Sequence, residues 1–168
     1  MAYPHPTADT LADGTIHVLG LGFAIPATIL LTTYAASQGE QLTPTLVYAA
    51  CFVLSLLASA IYPLLPFDRT RALLGRIDHA AIYFKIAGTY TPVSVLALPA
   101  ATATWVLAVV WGGALAGVAL KLAWPTAPAW VGVPIYVALG WVAVFVLPGL
   151  LAGGGVAALV LLLAGGAL

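Results

Sequence analysis

The stretch RIDHAAIYFKIAGTYTP, residues 76–92, is apolar enough to lie in a bilayer, yet it carries Asp78, His79 and Lys85. An ionisable side chain in hydrocarbon is costly and marks a functional site by default. Asp78 and Lys85 lie two helical turns apart, so they share one face, with Lys85 about 10 Å deeper. Helical side chains lean toward the helix N-terminus, which lets Lys85 reach back toward Asp78. Two readings stay open: Lys85 snorkels to the interface, or it forms a buried, water-bridged pair with Asp78 or with Asp13 of a neighbouring helix. Asp13 and His17, in ADGTIHVLGLG, are four apart and share a face of their own. There Asp13 either caps its helix and meets the positive N-terminus, leaving His17 a hydrogen-bonded interfacial residue, or both join the same cavity. Asp13, His17, Asp78 and Lys85 are therefore the candidate polar cavity.

Other chemistry is sparse. The sequence holds no carboxylate pair, serine–histidine–aspartate set or phosphate loop. His5, His17 and His79 lack the i, i+4 spacing of a helical zinc site. Cys51 is the single cysteine, which excludes an intrachain disulfide and a zinc–thiolate cluster. From the residues of this chain, no metal ligand set is expected.

The elements that must position these residues are membrane helices. The chain of 168 residues is 63% hydrophobic and 6% charged, against roughly 25% charged in a soluble domain. Five basic residues are too few for a nucleic-acid footprint; the expected partners are membrane lipids. A spanning helix needs about 20 apolar residues, and six such segments are predicted, at 16–36, 44–65, 79–98, 103–123, 130–147 and 150–168. Residues 1–15 form an N-terminal segment without a basic region, which argues against a cleaved signal peptide. With short connections, the whole chain 1–168 reads as a single all-α, polytopic transmembrane bundle.

Orientation follows from the basic residues. Arg69, Arg71 and Arg76 lie between the second and third segments, with Lys121 on the same side, and the opposite loops hold no Lys or Arg. That side is expected to be cytoplasmic, and the N-terminus with it. Trp105, Trp124, Trp130 and Trp141 are predicted near helix ends, as interfacial aromatics often are. Pro63 and Pro66 are expected to end the second helix, and Thr89, Tyr90, Thr91 and Pro92 to end or kink the third. Ser55 and Ser59 can bond back to their own helix. Gly113 and Gly117 make a GxxxG spacing on the fourth, a pattern that arises readily by chance in an alanine- and glycine-rich chain. Gly153 to Gly155, Gly165 and Gly166 make a face for another helix on the last segment, which lacks a polar anchor and suggests a fragment.

FDRTRALLGRIDHAAIYFKIAGTYTP resembles the loop and third helix of hemolysin III proteins, the bacterial branch of the progestin and adiponectin receptor (PAQR) group. ADGTIHVLGLGFA is similar to that family's first-helix opening, and SAIY stands where it has a Ser-x-x-Tyr-His segment. The resemblance runs from about residue 9 to the end. It implies a seven-helix bundle in the bacterial inner membrane with a cytoplasmic N-terminus, six of the helices lying in this chain. It also implies zinc near the cytoplasmic face, held by a histidine ending helix 2 and two histidines on helix 7, with an aspartate at the start of helix 3 holding a zinc-bound water. Asp78 matches that aspartate and Ser59 the family's serine. The helix 2 histidine falls at Pro63, which cannot ligate, and the helix 7 pair has no counterpart here. An ammonium at Lys85 could supply the positive charge that zinc supplies elsewhere.

Three functions follow as expectations. The first is a hemolysin III-type membrane protein, described in the family as a channel or cytolysin, or serving membrane-lipid homeostasis. The second is a zinc-dependent lipid amide hydrolase of ceramidase type, with Asp78 as general base and Ser59 supporting it, against which Pro63 argues. The third is a proton- or ion-coupled transporter using Asp78 and Lys85 as a relay. The polar residues all fall toward one side, which describes a one-sided cavity better than a channel.

Overall fold

The computed structural model describes residues 7–39, 41–61, 68–124 and 129–153. Six helices follow in order: α1 (Thr7–Ser37), α2 (Leu42–Ile61), α3 (Asp68–Ala97), α4 (Ala100–Ala123), α5 (Ala129–Trp141) and α6 (Ala143–Gly153). There is no strand among the described residues. Four stretches are long and apolar enough to cross a membrane: Gly14–Ser37, Leu42–Ile61, Ala100–Ala123 and Trp130–Gly149. The six predicted spans are therefore not all found. The four agree with the predicted 16–36, 44–65, 103–123 and 130–147, the last built from α5 and α6 together; the third expected span, α3, falls short in apolarity. The expected last segment lies mostly outside the described residues, as do Pro63, Pro66 and all of its glycines beyond Gly153.

α3 is the centre of the bundle and packs against α2, α4, α5 and α6, while α1 packs against α2. Its neighbours bury Tyr83, Thr91 and Ser94, while its charged and imidazole side chains Arg76, His79 and Lys85 stay exposed. It starts earlier than the expected residue 79. TRALLGRI after Pro66 is rich in good helix formers, and its arginines mark a helix leaving the bilayer rather than a loop. Asp78 is consequently two turns and more inside α3, and the expectation that it opens the helix and meets the dipole does not hold. Asp13 is likewise inside α1, which begins at Thr7, so it is no cap.

Proline ends neither α3 nor α6. Pro92 and Pro148 sit inside them, and the chain breaks at Val142 instead. A helix that stops at Trp141 leaves the carbonyls of its last turn without intrahelical partners. Tyr90 on α3 supplies one: its hydroxyl donates to the Leu139 carbonyl at 2.9 Å and to the Gly140 carbonyl at 3.2 Å. Trp141, expected at a span's end, is at this break, in the middle of the α5–α6 span.

The core is Tyr83 and Ala87 of α3, Val106, Val110 and Ala114 of α4, Leu139 of α5 and Val146 of α6. Outward faces carry large apolar side chains, among them Phe23 and Trp105. That inversion of a soluble protein's surface is what lipid solvent selects. Hydroxyls on α1 are satisfied locally: Thr28 Oγ1 donates to the Ala24 carbonyl and Thr32 Oγ1 to the Thr28 carbonyl, both at 2.8 Å. At the end of α1, Gly39 takes φ 70°, the left-handed turn that a helix C-terminus favours.

Candidate functional site at the polar end of the bundle

Contacts between helices fix which ends lie together. His17 near the start of α1 meets Ser59 near the end of α2, Tyr136 of α5 meets His79 of α3, and Lys121 of α4 lies beside Gly132 of α5. The starts of α1, α3 and α5 and the ends of α2 and α4 therefore share one end of the bundle. All the expected polar residues with described side chains are in that half.

They form separate groups. His17 Nε2 and Ser59 Oγ are 3.2 Å apart, joining α1 to α2; Asp13 stands one turn before His17 on α1. Lys85 is exposed on α3, and its Nζ lies 5.4 Å from the ring centroid of Phe52 on α2. No ion pair between Asp78 and Lys85 is present among the described residues. The ammonium meets an aromatic face instead, an attraction between cation and ring quadrupole. His79 is exposed, with Nδ1 2.6 Å from the Gly75 carbonyl of its own helix, a geometry in which Nδ1–H donates.

Asp78 belongs with a third group that the sequence did not single out. Tyr83 is fully buried, and its ring stacks on Tyr136 with centroids 4.3 Å apart at an interplanar angle of 14°. On its other side Tyr83 lies against Gly117 of α4, where any side chain would run into the ring. The Tyr136 hydroxyl donates to the His79 carbonyl over 3.4 Å, and Asp78 is within electrostatic reach of that phenol. The Tyr83 hydroxyl is buried and makes no hydrogen bond; the Tyr136 phenol interacts with it, but without hydrogen-bond geometry. Next to it, within 4 Å of the point where a Gly132 side chain would begin, lie both Tyr83 Oη and Lys121 Nζ. The available signal for this group was the Gly113–Gly117 spacing. It marks where α4 lets neighbours come close: Gly117 lies tight against the Tyr83 ring, and Gly113, less tightly, against the Leu139 side chain of α5.

A catalytic zinc takes about three protein ligands, and no three His, Cys, Asp or Glu gather among the described residues. Pro63, at the expected histidine position, lies outside them. What Asp78, Ser59, His17, Lys85 and Lys121 offer is charge and hydrogen bonding, spread over about two helical turns of depth between Asp78 and Lys85.

Comparison with known proteins places this architecture. The model of a family described as haemolysin-III related matches residues 8–168. The chain is 29% identical over 162 residues to a hemolysin-3 homolog of Bacillus subtilis (strain 168), covering 95% of this chain and 76% of that protein. It is 30% identical over 165 residues to hemolysin-3 of Bacillus cereus, covering 95% of this chain and 74% of the relative. No solved structure matches.

Proposed function

This chain belongs to the haemolysin III family, and on that premise we propose that it is a multi-pass membrane protein acting on lipid at one face of the bilayer, in membrane-lipid homeostasis. The observation that carries the reading is the one-sided distribution of free polar chemistry. Lys121, Asp78 and His79 lie toward the end where α3 begins, with Lys85 and the Tyr83 hydroxyl near the middle of that 30-residue helix. In the other half the polar groups are fewer and uncharged: Tyr90 bonds the α5 carbonyls, Trp111 Nε1 donates to Thr91 Oγ1 at 3.2 Å, and the Ser94 hydroxyl is buried and unbonded. Around them stand Val106, Val110, Leu139 and Val146. A conducting path needs polar lining across the whole thickness, whereas a lipid-facing site needs it at headgroup depth only.

The polar end is assigned to the cytoplasmic side of the bacterial inner membrane from Arg69, Arg71, Arg76 and Lys121. The relatives' name, hemolysin-3, supports a second reading as a pore-forming cytolysin. Release of an encapsulated dye from liposomes holding the complete protein separates the two. The lipid reading expects release no faster than from protein-free vesicles; release proportional to protein content would sink it in favour of a pore. The hydrolase reading would need ligands to replace Pro63, and the transporter reading a relay through the far half.

A further inference from the structure

Lys121 and Tyr83 present two hydrogen-bond donors to one spot without bonding each other. The Lys121 Nζ and the Tyr83 Oη both lie within 4 Å of the same point beside Gly132, which a side chain there would fill. Lys121 has no ion-pair partner among the described residues, and the Tyr83 residue is 0% exposed with its hydroxyl unbonded. A buried unpaired hydroxyl costs about 1–3 kcal/mol, so a hydrogen-bond partner is missing from this spot. Because an ammonium helps to form it, the acceptor best matched is an anionic oxygen.

Its depth and surroundings select the kind of anion. Trp124 and Trp130, at the end of α4 and the start of α5, are 49% and 75% exposed. They flank Lys121 at the level where tryptophans sit among headgroups. Between the same two helices runs an open apolar groove of about 320 Å³, lined by Val109 and Gly113 of α4, Pro134 and Ala138 of α5, and Val142. On α4 the groove lies about 12 to 18 Å deeper than Lys121 at 1.5 Å per residue, within reach of an acyl chain hung from a headgroup there. Lysine binds phosphate as a point charge. With Asp78 acting on the adjoining Tyr136, a singly charged phosphodiester suits the balance better than a doubly charged phosphomonoester.

We propose that the Lys121 ammonium and the Tyr83 hydroxyl, converging beside Gly132, hold the phosphodiester of a phospholipid whose acyl chain lies in the α4–α5 groove. The proposal rests on the lipid-facing reading above and names its ligand class. None of the residues singled out for the polar cavity takes part in the grip, so it is a site distinct from the His17–Ser59 and Lys85–Phe52 groups.

The test is native mass spectrometry of the complete protein released from micelles doped with phosphatidylglycerol, or with diacylglycerol of the same chains. One phosphatidylglycerol is expected to stay bound and diacylglycerol to be lost. Lys121→Ala and Tyr83→Phe should each reduce retention about tenfold or more, the loss expected for a hydrogen bond to a charged group. Arg76→Ala removes an exposed cation at the same end and should leave retention unchanged. Tyr83→Phe keeps the ring packing and deletes only a hydroxyl that bonds nothing in the protein, so its fold should survive even where that of Lys121→Ala does not. Equal retention of diacylglycerol, equal loss with Arg76→Ala, or full retention in Tyr83→Phe would each overturn the proposal. Displacement of the lipid by inorganic phosphate alone would also overturn it, making this a free-ion site. Dye release with Lys121-dependent retention intact would sink the lipid-homeostasis reading and leave the site standing; the site's own failure leaves that reading to the liposome result.

Discussion

The Tyr83 ring lies flat on the Tyr136 ring, centroids 4.3 Å apart, and against Gly117 on the far side, so α3, α4 and α5 meet through one aromatic side chain. This contact sets the spacing of three helices at the polar end. It also aims the Tyr83 hydroxyl at Lys121 and Gly132, so packing and polar chemistry are set by the same residue.

The first prediction concerns that packing. Gly117→Ala places a methyl inside the volume of the Tyr83 ring and forces α4 away from α3. Overpacking of this kind costs typically 1–3 kcal/mol. Gly112→Ala, five residues earlier on the same helix but facing open space, is the matched control and should be neutral or slightly stabilising through helix propensity. Thermal unfolding in detergent should show a lower midpoint for Gly117→Ala alone; equal midpoints would mean that the two helices are not held at this distance.

A second prediction follows from the break at Val142. If the Tyr90 hydroxyl satisfies the open carbonyls of Leu139 and Gly140, Tyr90→Phe leaves them unpaired in an apolar setting, at about 1–3 kcal/mol. The effect should be local. Hydrogen exchange at the α5–α6 junction should accelerate while α1 and α2 keep their protection. Unchanged exchange there would show that the break holds without the tyrosine.

Much of this was legible in the sequence and some was not, for reasons that particular residues make plain. Composition and apolar runs gave the helices on either side of α3, and the arginines before Ile77 marked the polar end. Those same arginines hid the start of α3, because charge reads as loop when a helix emerges from the bilayer. The predicted span 130–147 is there, but the break inside it fell in the featureless run Trp-Val-Ala, where a tyrosine from another helix bonds the open carbonyls. Asp78 and Lys85 stood out by charge and spacing on one helix. Phe52, the group that Lys85 meets, is on another helix and no spacing announces it. Tyr83 escaped for a related reason. A lone tyrosine in an apolar helix reads as core, and its significance appears only with Gly117, Tyr136 and Lys121 around it.

The third prediction separates the two partners open to Lys85. A double-mutant cycle between Lys85→Gln and Phe52→Leu should give a coupling of about 0.5–1 kcal/mol, the range for an exposed cation–π contact. The corresponding cycle between Lys85→Gln and Asp78→Asn should be additive within about 0.5 kcal/mol. Coupling concentrated on Asp78 would reinstate the ion pair and, with it, the relay that a proton-coupled transporter needs.

The last prediction concerns the metal. Asp78 matches the aspartate that would hold a zinc-bound water, but it lies on α3 within electrostatic reach of the Tyr136 phenol, while Ser59 is engaged with His17 between α1 and α2. A serine already bonded to His17, together with Pro63 at the histidine position, is a poor start for a centre that needs about three ligands. Elemental analysis of the purified complete protein should therefore find zinc well below one equivalent, and Asp78→Ala should not change the value. Stoichiometric zinc that falls in Asp78→Ala would mean that other side chains have taken over the ligand role. It would also bring back water activation by the metal and the lipid amide hydrolase, with Asp78 at its centre. Stoichiometric zinc indifferent to Asp78 would place a metal elsewhere in the protein and leave the polar end to lipid.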